Sequence, residues 1–150
     1  MNILQISLPI LLFIWAGVSL SGNLVAASAK FQVEALTMPV ALQVGRAQFT
    51  WIGYVEWSLF AVVILSVLVR SKVLSVALGI ALLIFLVQQL WMQPLLEART
   101  NIIVSGGDAG DSHFHIYFIV AEVMKFLALI WAGCLALSIF GNSDTAKPDG

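Results

Sequence analysis

Few residues in this chain can do chemistry, and they stand at a small number of places. Glu56, Gln88, Glu122 and Lys125 each interrupt a long apolar stretch, and Ser19, Ser21 and Asn23 interrupt another. A carboxylate or an ammonium surrounded by hydrocarbon must find a partner or water, because an unpaired charge there is costly. Glu56 and Lys125 are therefore expected to pair, or to share one network with Glu122 and Gln88. Such a cluster either holds a substrate or a proton, or fixes the register of packed helices. His113 and His115 are the only histidines and lie two apart. An extended His-x-His can hold a metal, with Glu122 as a carboxylate beside it, whereas on a helix the two rings point about 160° apart. No third firm ligand accompanies them. Because both histidines lie together, a haem held between histidines of facing helices is not supported, while a haem with one histidine ligand is compatible. Arg46, Glu97 and Arg99 lie just outside the apolar runs and read as a solvated ion-pair rim, with Arg46 reaching Glu97 or Glu34. Cys134, the single cysteine, reads as a small buried hydrophobe. No phosphate-cradling loop, nucleophile elbow or Cys-x-x-Cys occurs.

The elements that hold these residues are helices that cross a membrane. Of 150 residues, 61% are hydrophobic and 10% are charged, against roughly 25% charged in soluble domains. That excludes a soluble globular domain and a disordered chain. A formal net charge of −1 leaves no basic patch for nucleic acid. Four stretches, 3–29, 49–69, 73–92 and 114–140, reach the about 20 apolar residues that a span requires. The expected fold is an all-α, integral membrane four-helix bundle in contact with the lipid bilayer, over residues 1–142, followed by a polar tail over 143–150. Ala27-Ser28-Ala29 has the look of a signal-peptidase site, but no basic residue precedes the apolar run, and that run is longer than such signals need. It is read as a span.

The helices are expected to extend beyond the outer face. Thr37-Met38-Pro39 reads as an N-cap with an early helical proline. The second helix then covers 38–70, about 33 residues or roughly 50 Å against a hydrocarbon core of about 30 Å. The first helix runs toward Leu36, with Lys30 and Glu34 one turn apart. The third continues to Val104 with a kink at Pro94. Residues 105–110 form a turn, and Asp111 or Ser112 caps the fourth helix. The short connection holding Arg70 and Lys72 is expected on the cytoplasmic side. Both termini then face the cytoplasm, in a bacterial inner membrane.

Depth can be counted from the Arg70 end at about 1.5 Å per helical residue. Glu56, Gln88 and Lys125 lie about 21–22 Å up, Glu122 about 27 Å, and Ser19 to Asn23 about 24–30 Å. Below this layer nothing is ionisable, and Ser66, Gly79, Gly133 and Ala136 allow close helix approach. Positions seven or eleven apart nearly eclipse on a helix. Asn23, Lys30 and Glu34 therefore share a face, as do Gln88, Leu95 and Arg99 but for the kink, and His115, Glu122 and Lys125 share a broad stripe. Turned inward, these faces make an outward-opening pocket on an apolar floor. Asn23, Glu56, Gln88, Glu122 and Lys125 lie within it, and Arg46, Glu97 and Arg99 form its rim. Trp51, Tyr54, Trp57 and Trp91 read as an interfacial aromatic belt, or as a stacking wall for an aromatic or lipid-like ligand.

Three segments together resemble a known group. They are Met38-Pro39-Val40-Ala41-Leu42-Gln43-Val44-Gly45-Arg46 with Phe49, the run from Trp91 through Pro94, Glu97 and Arg99 to Thr100, and the histidine opening the last span. Over about residues 10–140 the chain resembles small four-helix bacterial membrane proteins related to the eukaryotic transmembrane protein 205 group. The resemblance implies a fold and no mechanism. A looser likeness is to anthrone-oxygenase-type membrane proteins, and small multidrug transporters share the four helices and a buried glutamate.

The leading expectation is a membrane protein that binds a small lipophilic ligand or a partner membrane subunit, or assembles as a homo-oligomer. Replacing Lys125 by Met then abolishes binding and leaves the bundle folded. The alternatives are an oxidoreductase or oxygenase acting on a lipid-soluble aromatic through His113, His115 and Glu122, and a proton-coupled exporter using Glu56. No cofactor is named by these residues.

Overall fold

The computed structural model of the chain describes residues 3–69, 75–110 and 113–145. Ser7–Ala29, Met38–Val69, Val76–Val104 and Phe114–Ile139 are each long and apolar enough to cross a membrane, at 23, 32, 29 and 26 residues. The chain is a multi-pass membrane protein with an all-α, four-helix bundle fold, and the described residues contain no strand. The connection holding Arg70 and Lys72, the expected caps Asp111 and Ser112, and the tail 146–150 lie outside the described residues.

Helix α1 covers residues 3–32. It is α-helical over Ile3–Val18, widens to a π-helix over Ser19–Ala26, and closes with a 3₁₀ turn over Lys30–Gln32. Val33 is extended, with φ −86° and ψ 102°. The helix thus stops short of the expected Leu36, and Glu34 leaves it exposed. Lys30 and Glu34 are therefore not neighbours on successive helical turns. Helix α2 is Met38–Val69. The Thr37 carbonyl accepts from Ala41 N at 2.9 Å, so Thr37 is the capping position. Pro39 then falls in the first turn, where a missing N–H costs nothing.

Helix α3 covers residues 76–104, capped by the Ser75 hydroxyl, which accepts from Leu78 N at 3.2 Å. It widens to a π turn over Gln88–Met92 just before Pro94. Proline lacks the i→i−4 donor and crowds the carbonyl of the preceding turn, and the wider turn absorbs both faults. The turn that follows uses Gly106 and Gly110 at φ 84° and 65°, a left-handed conformation that favours glycine. Helix α4 is Phe114–Thr145. Its first carbonyl acceptor is that of His113, bonded by Tyr117 N at 3.1 Å, and it continues past the expected end at Phe140.

Helix α4 packs along both α1 and α3, while α2 lies against α1 and against the 93–104 half of α3. The buried positions of α4 include Phe118, Glu122, Lys125, Leu129, Ala132 and Ala136, spaced alternately four and three, with Ala128 and Gly133 beside them. That spacing keeps one stripe facing inward. Below the polar residues Leu8, Leu12, Val63, Leu78, Leu82 and Leu129 form an apolar plug. Gly133 lets the Phe13 ring lie where a β-carbon would stand, which is the close approach expected of it, whereas Gly79 faces open space. Cys134 is exposed on the outside of α4 rather than buried, because it falls off the inward stripe. Trp51 and Tyr54 are 72% and 61% exposed and pack edge to face at 5.9 Å. They sit on the outside of the bundle, as belt residues do, and line no internal wall.

Candidate binding site

All four helices deliver a polar side chain to one buried cluster. Lys125 Nζ lies 2.7 Å from Glu56 Oε1 and 3.0 Å from Glu122 Oε1. Trp15 Nε1 donates to Glu56 Oε1 at 3.1 Å, and Gln89 Nε2 donates to Glu56 Oε2 at 3.4 Å. Glu122 Oε1 accepts from Ser19 Oγ and from Asn23 Nδ2, the latter at 3.1 Å. Glu122 Oε2 accepts from Gln88 Nε2 at 2.9 Å. Each of the four carboxylate oxygens is met by at least one donor. The ammonium also lies 5.8 Å from the Phe85 ring centroid, within cation–π range. The expected pairing of Glu56 with Lys125, and its extension to Glu122 and Gln88, is present.

The π segments explain how the donors arrive. Trp15, Ser19, Asn23 and Ala27 of α1 are buried at successive steps of four near the cluster, with Ala16 beside Trp15. In a straight α-helix each such step drifts about 40° off the face. A π turn holds more residues and cancels that drift. Ser19 and Asn23 therefore stay on the inward face, while Ser21 points outward and bonds back to Gly17 O at 2.7 Å. The π turn of α3 opens with Gln88 and contains Gln89, which serve the two different carboxylates. Both departures from α geometry thus sit at the polar cluster.

Above the cluster, toward the end carrying the 33–37 and 105–113 connections (the shoulder end), lies a separate cavity of about 470 Å³. Arg46, Glu97 and Arg99 line it, together with Lys30 and His115. Its apolar lining includes Met38, Leu42, Phe49, Leu96, Ile103 and Phe118. Phe118 belongs to both compartments. Its ring packs edge to face on Phe49 at 5.6 Å in the cavity wall, and its carbonyl accepts from Gln88 Nε2 at 3.5 Å. The predicted polar layer and rim therefore occupy two compartments instead of one pocket. Asn23, Glu56, Gln88, Glu122 and Lys125 are buried in the cluster and absent from the cavity lining.

The rim pairs differ from expectation. Arg46 Nη1 donates to Asn101 Oδ1, not to Glu97 or Glu34. Arg99 Nη2 donates to the Gly110 carbonyl at 2.7 Å and so holds the turn over residues 105–110. Leu95 is exposed whereas Gln88 is buried, because the π turn over Gln88–Met92 rotates the helix between them. Lys30 reaches across α2 so that its ammonium lies against Gly45 and 5.3 Å from the Phe49 ring. Burial holds its pKa below the usual lysine range.

His113 and His115 are both exposed at the start of α4, and Glu122 is turned into the buried cluster. The described residues contain no group of three His, Cys, Asp or Glu side chains placed to hold a metal. Sequence reasoning missed Trp15, Gln89 and the cavity role of Lys30. Trp15 sits in an apolar run and carries no polar signal, whereas Gln89 beside Gln88 was a readable one. No family model, curated protein or solved structure matches the chain.

Proposed function

We propose that this membrane protein binds a small lipophilic ligand in the shoulder cavity, with the buried ion cluster as its rigid base. The observation that carries this reading is the cavity itself. Its about 470 Å³ falls in the range of small-molecule sites, and its lining is mostly apolar with a few convergent polar groups. The test is native mass spectrometry of the full chain from a mild detergent. A bound or added lipophile should raise the mass of the chain by one ligand, and Leu96→Trp, which fills the cavity, should remove that increment. An adduct that persists in Leu96→Trp, or a series of bare multiples of the chain mass, overturns the ligand reading. The bare multiples would instead support assembly with itself.

We further place the shoulder end on the side away from the cytoplasm of a bacterial inner membrane. Arg70 and Lys72 in the opposite short connection support this. In Lys72→Cys, a membrane-impermeant thiol reagent should label inverted vesicles and spare intact cells. Labelling of intact cells reverses the orientation.

A further inference from the structure

We propose that the ligand of the shoulder cavity is an anionic amphiphile, a single apolar chain ending in a carboxylate or phosphate head. The proposal rests on the binding reading above and adds the chemistry of the head. Three cationic side chains, Lys30, Arg46 and Arg99, line the cavity against one carboxylate, Glu97. The two guanidinium groups are held by neutral acceptors, the Asn101 amide oxygen and the Gly110 carbonyl. Their orientation is thus set while their charge is not cancelled. A guanidinium has five N–H donors in a planar fork, so each arginine keeps donors for a carboxylate or phosphate. The rest of the lining is mainly hydrocarbon and aromatic, with Leu42, Leu96, Ile103 and the Phe49–Phe118 pair, beside the neutral side chains Thr50, Gln93 and Thr100 and the His115 imidazole. A ligand in the cavity therefore meets both positive charge and apolar surface. A cationic amphiphile would face like charge there, and a neutral one would offer the Arg46 and Arg99 guanidinium groups no anionic acceptor.

The experiment uses the full chain in a neutral maltoside detergent and four probes with the same alkyl chain: dodecanoate, dodecyl phosphate, dodecanol and dodecyltrimethylammonium. Binding is read by native mass spectrometry and by calorimetry. One anion per chain is expected, bound about tenfold or more tightly than dodecanol, the size of one charge-assisted hydrogen bond, with no binding of the ammonium. Arg46→Gln with Arg99→Gln should remove that preference and leave dodecanol unchanged. Glu97→Gln should strengthen anion binding severalfold, a gain that a merely structural residue does not produce. Gly45→Ala tests the third cation, because the added methyl displaces only the flexible end of Lys30, and it should weaken dodecanoate. Equal affinity for dodecanoate and dodecanol, with no response to Glu97→Gln, overturns the anionic head and leaves the binding reading standing. If none of the four probes binds, both readings fall.

Discussion

Lys125→Met is expected to destabilise the bundle by about 3–5 kcal/mol, the scale for removing one partner from a buried ion pair. Lys125 is fully buried, and its ammonium lies between Glu56 and Glu122, which are fully buried as well. Without it, two carboxylates face each other with no cation between them. The sequence alone led to a different expectation, a folded bundle that had lost its ligand, because it left open whether Lys125 faces a cavity or two acids. The measurement is denaturant unfolding in mixed micelles, followed by tryptophan fluorescence. Adding Glu56→Gln and Glu122→Gln to Lys125→Met should recover most of the loss, since the charge requiring a partner is then gone. A single variant that unfolds together with the parent chain refutes the account of the cluster as a mutually dependent ion network.

Glu122→Leu is expected to cost about 3–9 kcal/mol, because it strands three buried donors at about 1–3 kcal/mol each. Those donors are Ser19 Oγ, Asn23 Nδ2 and Gln88 Nε2. They come from the two π segments, so Glu122 is the residue that ties both irregular turns to α4. Amide exchange should accelerate over residues 19–26 and 88–92 and change little over Val76–Val87. Glu122→Gln should be much milder. Asn23 Oδ1 and Gln88 Oε1 are buried and unpartnered, and either can accept from the introduced amide after turning about its terminal bond. Equal damage from the two substitutions, or uniform exchange along α3, contradicts the role assigned to Glu122.

These two expectations differ in how far the sequence foresaw them. The pairing of Glu56 with Lys125 was legible because both charges lie at one depth inside apolar runs. Glu122 was placed in one network with Gln88 and in one pocket with Asn23, but Ser19 was not separable from Ser21, two positions away in a run of the same composition. The rim was legible as a set, in Arg46, Glu97 and Arg99. Its partners were not, since Arg46 and Arg99 settle on an amide and a backbone carbonyl rather than on carboxylates. Cys134 shows the same limit in the apolar stretch. Its type says hydrophobe, and only its place on the stripe says outside.

What the sequence determined by itself is the membrane class, the number of helices and the common height of Glu56, Gln88, Glu122 and Lys125 along the bundle. Hydropathy runs along the chain, and a constant rise of about 1.5 Å per residue converts position into height. What only the tertiary structure decided is rotation. Two π segments change the number of residues per turn, and each extra residue turns the following face by about 100°. That rotation brings Ser19, Asn23 and Gln88 onto Glu122, puts Leu95 outside, and separates a sealed ion cluster from the cavity above it. It also carries the Trp15 indole N–H to Glu56, a contact invisible in a residue that reads only as one more apolar side chain, because it exists only once α1 and α2 have packed.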